Sequence, residues 1–244
     1  MFLNIQTLPI IQVPLLQQYD WLVHGFGTKD ISIEKYLSAF GVSNPKIPQT
    51  HQIHSKALHL LTTKEKVSSP WSTVSGPQLE GDAFVTDEPG IVCWVRSADC
   101  LPILLVDPVH KVVGAIHSGW RGTAQKVVTE TIKVMQREWK TDPVRLKVAL
   151  GPCIDGRNYR VKNDVVIAFR EAQLSPGPWL EEIDPNHWYL DIAHANLHLL
   201  KTMGIPRESI YLSLACTAAD PNHFHSFRAE KGKKGNQVSF VMIK

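Results

Sequence analysis

Two segments whose key residues stand seventeen apart hold the chain's most reactive side chains: Ser97-Ala98-Asp99-Cys100 and His117-Ser118-Gly119-Trp120-Arg121-Gly122. Each lies where an apolar run meets a polar or glycine-bearing turn. A thiol and an imidazole delivered to neighbouring strand ends can build a metal site or a Cys–His nucleophile. A third segment, Gln49-Thr50-His51-Gln52-Ile53-His54, supplies further imidazoles. If His51 converges with Cys100 and His117, the two nitrogens and one sulfur suit zinc. Three protein ligands would leave the fourth position open, the catalytic rather than the structural arrangement. Zinc would hold Cys100 as thiolate and lower the pKa of a bound water. Copper outranks zinc at such donors and is the alternative ion. Without a metal, Cys100 as nucleophile and His117 as base would make a cysteine hydrolase. The spacing leaves these alternatives open.

The turn after His117 adds a second kind of chemistry. Gly119 and Gly122 let backbone approach a ligand closely, and Trp120 and Arg121 lie between them. Arg121 is a planar cation suited to phosphate or carboxylate. A helix with Thr123 as its N-cap would direct free N–H groups toward the same turn. Asp82, in Gly81-Asp82-Ala83-Phe84, and Asp99 are the nearby carboxylates, available as general bases or as partners that orient a ligand. His194 and His198 lie four apart on a helical pattern but lack the glutamate of HExxH, so they read as surface or packing residues. His223-Phe224-His225 has a spacing that copper sites use, and at most one of its histidines is expected near the site.

The elements around these segments are legible from pattern. Ile91 to Arg96, Leu101 to Val106 and Lys111 to Ile116 are short runs of Val, Ile and Leu bounded by turn residues, and they predict buried strands. From Ala124 to Trp139 the period changes to that of one amphipathic helix. Leu146 to Leu150, Ile210 to Leu214 and Val238 to Ile243 predict strands. Val165 to Leu174 and Ile192 to Met203 predict helices, the second stopped by Gly204 and Pro206. Val67 to Gly81, rich in Ser, Pro and Gly, predicts a long loop. Strands and helices mix along the whole length, which gives an α/β or α+β class in one domain over residues 1–244.

Composition removes several classes of function. Of 244 residues, 43% are hydrophobic and 20% charged, as in ordinary globular proteins, and the formal net charge of +3 is too small to argue for nucleic acid. The basic stretch from Lys231 to Lys234 reads as a solvated loop. No apolar run reaches the length of a membrane span, and Pro9 and Pro14 interrupt the apolar N-terminal stretch. No basic residue precedes Lys29, so no export signal is expected. The four cysteines are widely spaced, so thiols and a cytoplasmic location are expected.

Taken together, Gln49-x-His51, Gly81-Asp82-Ala83-Phe84-Val85-Thr86, Ala98-Asp99-Cys100-Leu101-Pro102-Ile103, His117-Ser118-Gly119-Trp120-Arg121-Gly122, Leu150-Gly151-Pro152-Cys153-Ile154 and Ser226-Phe227-Arg228 resemble the YfiH/YlmD family. Its members are also called laccase-domain proteins or polyphenol oxidases. The resemblance implies a layered sandwich of mixed β-sheets flanked by helices, and a metal site of His51, Cys100 and His117. It implies purine nucleoside phosphorylase activity on adenosine, inosine and methylthioadenosine, with adenosine deaminase activity as well. Cys100, His117, Arg121 and Asp99 are then the catalytic residues expected. Gln49, Asp82, Gly119, Trp120, Arg121 and Arg228 are expected to bind nucleoside and phosphate. Older labels for the family imply a copper oxidase, or a role in editing peptidoglycan precursors that would suit the cysteine hydrolase. A multicopper oxidase needs many convergent histidines, and the chain has 11. The sequence departs from the family pattern at Lys29, at Gln52 in place of a glycine, at Arg160 in place of a glutamate and at Asn236. These departures spare the expected metal ligands and fall on the substrate side, which also admits a binding protein that has lost catalysis.

Overall fold

A computed structural model describes residues 3–5, 8–64, 71–175, 177–232 and 235–244. In chain order the first elements are β1 (Leu3–Ile5), β2 (Leu8–Ile11), α1 (Pro14–Gln17), β3 (Leu22–Gly27), α2 (Ile33–Ala39), β4 (Thr50–His51) and β5 (Leu58–Thr62). Next come β6 (Trp71–Thr73), β7 (Leu79–Glu80), β8 (Ala83–Thr86), β9 (Val92–Ser97), β10 (Leu101–Asp107) and β11 (Val112–Ser118). They are followed by α3 (Trp120–Ala124), α4 (Val127–Trp139), β12 (Lys147–Leu150), β13 (Arg160–Lys162) and α5 (Asn163–Glu171). The chain ends with β14 (Leu180–Asp184), β15 (His187–Leu190), α6 (Ile192–Thr202), β16 (Ile210–Leu212) and β17 (Gln237–Ile243).

Two large sheets stack on one another. One is a five-stranded antiparallel sheet in the order β1-β2-β3-β17-β9; the other is a seven-stranded mixed sheet in the order β16-β12-β10-β11-β8-β5-β6. The stacking explains the apolar runs. Along β10, Leu101, Ile103 and Leu105 face one core and Leu104 and Val106 face another, so all seven residues are buried. The inner core, with Phe26, Cys93, Leu104, Ala115 and Val241, lies between the sheets. The second core packs α4, α5 and α6 on the far face of the larger sheet. A third, built around Tyr36 and Phe240, seats α2 on the outer face of the smaller one. Burying each large apolar side chain contributes roughly 1.5–3 kcal/mol. The layered α/β sandwich expected from sequence is therefore the observed architecture.

Two local expectations are corrected. The helix predicted from Ala124, with Thr123 at its cap, is two helices: α3 opens at Gly119, and Lys126, at φ 58°, breaks the chain before α4. Thr123 lies inside α3, where its hydroxyl donates to the Gly119 carbonyl at 2.9 Å. Within the stretch expected to be a loop, β6 pairs parallel with β5 and β7 pairs parallel with β4; residues 65–70 lie outside the described residues. Part of the basic stretch, residues 233–234, does too. All four cysteines are free thiols. No helix among the described residues is long and apolar enough to cross a membrane.

Candidate metal centre and its cleft

The hairpin of β10 and β11 sets the first two donors. Its register pairs Leu101 with Ser118 and Pro102 with His117, so Cys100, one residue before β10, stands opposite Gly119. Gly119 is needed there for space: a Cβ would sit 2.8 Å from Cys100 Sγ and 3.4 Å from the His54 ring. The turn that closes the hairpin is held by Asp107 Oδ1, which accepts the N–H groups of Val109 and His110 at 2.9 and 3.1 Å.

The third donor is His54, and this corrects the expectation of His51. Donor atoms of His54, Cys100 and His117 all lie within 4.8 Å of one another. The chain contains Gln-x-His twice, three residues apart, and it is Gln52-Ile53-His54 that reaches the centre. His51 is an exposed residue of β4, paired with Glu80 of β7, and lines the outer cleft. The difference is a turn that His54 enters at φ 58°. In that turn the N–H groups of Ile53, His54 and Ser55 donate to the Asp82 carboxylate at 3.3, 3.1 and 2.6 Å, and the Ser55 hydroxyl adds a bond of 3.0 Å. Gln52 ties the other side of the loop: its carbonyl accepts the Arg96 N–H at 2.8 Å and its amide donates to the Arg96 carbonyl at 2.7 Å. Read this way, the residue after the metal-site histidine is Ser55, and Gln52 is a residue that docks the loop on β9.

Asp82 is fully buried and does not line the cleft, so it is not a substrate contact as expected from sequence. Its Oδ1 holds His117 Nδ1 at 2.8 Å, which leaves Nε2 for the centre. Burial alone would raise the Asp82 pKa, but hydrogen bonds from His117 and Ser55 hold it below the usual carboxylate value. Burial alone would also push the Cys100 thiol up; the charge and hydrogen bond of His117, with those of His54, bring it down to about 6. His117 responds in kind. Burial disfavours its charged form, yet the Cys100 thiolate and Asp82 raise it to about 9. Cys100 and His117 thus favour thiolate and imidazolium when no ion is bound. The donor set, with a poised thiolate and an oriented imidazole, fits a metal ion.

Asp99 is engaged on both oxygens. Thr217 Oγ1 donates to Oδ1 and the Arg228 N–H to Oδ2, each at 2.7 Å, and Asp99 adopts φ 87°. It ties the Cys100 turn to two distant loops, an arrangement of positioning, where the sequence suggested a catalytic acid–base. On the opposite side, the fully buried Asn196 of α6 anchors the His117 turn. Its amide donates to Thr123 Oγ1 at 2.9 Å and its carbonyl accepts from Ser118 Oγ at 3.2 Å.

Above the donors opens a cleft of about 580 Å³. Trp120, Tyr159 and Phe227 give it aromatic walls, and Arg96, Arg121 and Arg228 give it cations. Arg121 lies over the Trp120 ring at 4.3 Å and Arg228 over Tyr159 at 5.2 Å. Gln49 is exposed and outside this lining; its carbonyl accepts the Leu79 N–H. Tyr159 and Arg96 were not assigned a role from sequence, and Phe227 only as part of Ser226-Phe227-Arg228, because each reaches the cleft through tertiary packing. The remaining histidines stand apart from the cluster. His194 is exposed and bonded to Asp191, His198 packs on Trp179, His223 bonds Asp220, and His225 bonds Asp30 and Glu230.

The family described as multi-copper polyphenol oxidoreductase laccase matches residues 32–244 of this chain. A Deinococcus radiodurans protein named purine nucleoside phosphorylase is 40% identical over 163 residues, 66% of this chain. Purine nucleoside phosphorylase YlmD of Geobacillus stearothermophilus is 35% identical over 193 residues, 78% of this chain. The matched segments span 61% of the first relative's length and 69% of the second's. The crystal structure of YlmD from G. stearothermophilus superposes with a TM-score of 0.84 at 24% identity, covering 97% of this chain and 96% of that one. A Bacillus licheniformis protein, YfiH, gives 0.83 at 23% identity, with the same coverage. At these identities the structural likeness bears on the fold alone.

Proposed function

The chain belongs to the YfiH/YlmD family of laccase-domain proteins, and on that premise we propose that it is a cytoplasmic, zinc-dependent purine nucleoside phosphorylase. Its substrates are adenosine, inosine and methylthioadenosine with phosphate, and its products a free purine base and the ribose 1-phosphate. The observation that carries this reading is the His54–Cys100–His117 cluster at the floor of a cleft lined by both aromatic rings and arginines. Among the described residues it is the one group of donors of this kind, which favours a single ion over a multi-copper oxidase. His54, Cys100 and His117 would hold the zinc, which when bound supplies a Lewis acid beside the reacting sugar.

The chain's own residues do the rest. Trp120, Tyr159 and Phe227 present ring faces on which a purine stacks. Arg121 and Arg228 offer planar donors to the phosphate, and Arg96 is a third cation of the same cleft. A phosphate oxygen forms a bond to the anomeric carbon as the bond from that carbon to the purine nitrogen breaks. The base leaves with that electron pair and takes up a proton. Cations held by stacking stay oriented, so they stabilise the anion without reorganising. Deamination in the same cleft would add water to the purine ring and release ammonia.

A second reading rests on one observation: Asp82, His117 and Cys100 also form the hydrogen-bonded and charge-coupled chain of a cysteine hydrolase. Metal content and adenine release from adenosine, with and without phosphate, separate the two. Stoichiometric zinc that is lost in Cys100→Ala, with base release that requires phosphate, supports the phosphorylase. Full activity in metal-free protein overturns the zinc reading and promotes the hydrolase.

A further inference from the structure

A second cleft, of about 440 Å³, adjoins the metal cleft, and the two share Trp120, Tyr159 and Arg228 as a common wall. None of the three metal-site donors lines it. Its floor is β13, a three-residue strand that alternates: Val161 is buried while Arg160 and Lys162 stand exposed on the other face. Arg228, part of the shared wall, donates from its guanidinium to the Arg160 carbonyl at 2.9 Å. Three cations therefore border the cleft against one lining carboxylate, Asp164. Asp184 pairs with Arg160 at 3.3 Å, but both groups are exposed, so an incoming dianion can displace it. Asp184 also holds Nδ1 of the lining His187 at 2.8 Å.

We propose that this second cleft binds the 5′-phosphate of a purine nucleoside monophosphate whose base and ribose occupy the metal cleft. The assignment rests on the nucleoside phosphorylase reading and names nucleotides as its substrate class. A phosphate monoester carries close to two negative charges at neutral pH and accepts paired hydrogen bonds from guanidinium groups. Free phosphate has the same chemistry. The attacking phosphate must, however, reach the anomeric carbon beside the metal, and this cleft lies across the Trp120–Tyr159 wall from the donors. The 5′ end of a nucleotide is the anion that falls there.

The test compares adenosine 5′-monophosphate with adenosine, using metal-loaded protein and inorganic phosphate as co-substrate. The wild-type chain is expected to prefer the monophosphate at least about tenfold in kcat/KM, the scale of one charge-assisted hydrogen bond to a phosphate. In Arg160→Glu/Lys162→Glu the ratio of the two substrates should fall to unity or below, while Arg160→Lys retains most of it. Calorimetric titration with each compound checks binding apart from turnover, and thermal melting checks that the variants fold. Release of base from adenosine, with no preference for the monophosphate in rate or binding, overturns the proposal and leaves the phosphorylase reading standing. A variant effect confined to the KM for inorganic phosphate assigns the cleft to the free anion and also overturns it. If neither compound loses its base, yet the monophosphate binds tighter in an Arg160-dependent way, the anion site stands and the phosphorylase reading falls.

Discussion

Replacing Asp82 by asparagine keeps the side chain's shape and removes its charge, which isolates what the carboxylate does for His117. The amide can present its N–H where the carboxylate presented an acceptor, so the ring loses its fixed tautomer. Partners of this kind carry about 10- to 100-fold in metal affinity, and Asp82→Asn should lose that much zinc affinity by competition with a chromophoric chelator. The thiol gives a second prediction. Because His117 and His54 bring the Cys100 thiol down to about 6, alkylation of the metal-free protein by iodoacetamide should persist down to that pH and fall below it. A free thiol begins to slow near pH 8.5. Linkage gives the matching signs for stability. The depressed Cys100 pKa contributes stability that is complete above 9 and lost as pH falls through about 6. The raised His117 pKa contributes stability that is complete below 6.5 and lost as pH rises through about 9. Between 6.5 and 9 the rising Cys100 contribution and the falling His117 contribution oppose one another, so denaturant midpoints of metal-free protein should change little across that window, and Cys100→Ala, which removes the rising contribution, should leave midpoints that fall with pH. Cys100 and His117 were legible in the sequence because they end apolar runs. His54 was not. Choosing it over His51 depends on a left-handed backbone turn wrapped round Asp82, 28 residues away from His54, and no local pattern carries that.

At the scale of elements, Asn196 hydrogen-bonds α6 to the His117 turn. It bonds Thr123 and Ser118 in a buried network, and leucine in its place would remove both of those bonds, leaving the two hydroxyls only each other and the Gly119 carbonyl. Asn196→Leu should cost about 1–3 kcal/mol of stability, read from a urea midpoint. A purely structural role predicts no more than that. Because the network holds the carbonyl of Gly119, we expect kcat to fall more than KM changes, and Asn196→Ser to rescue part of it. The strands from β9 to β12 were legible, since residues buried on both faces leave unbroken apolar runs. The division of α3 from α4 was not, because the apolar spacing runs on across Lys126 and the interruption is a backbone conformation. The β4–β7 pairing was likewise hidden, as two-residue strands leave no period to read.

Across the whole molecule, the site and the cores are separable. Phe240 packs between Tyr36 and Phe40 in the outer core, on the face of the five-stranded sheet that carries α2. Phe240→Ala should cost about 3–5 kcal/mol, while the folded fraction keeps its zinc stoichiometry. Unfolding midpoints and metal analysis of the same preparation check both halves of that expectation. The layered class followed from the mixture of strands and helices, but which faces stack could not be read, since a strand buried on both sides does not announce its neighbours. The register of one hairpin carries a broader implication. Cys100 and His117 arrive together whenever β10 and β11 zip correctly, whereas His54 is delivered only after a distant loop has wrapped the buried carboxylate. Two donors report local assembly and the third reports global assembly, so tight capture of an ion by all three would proofread the completed fold. A chain misregistered by a single residue would retain much of its secondary structure yet fail that inspection.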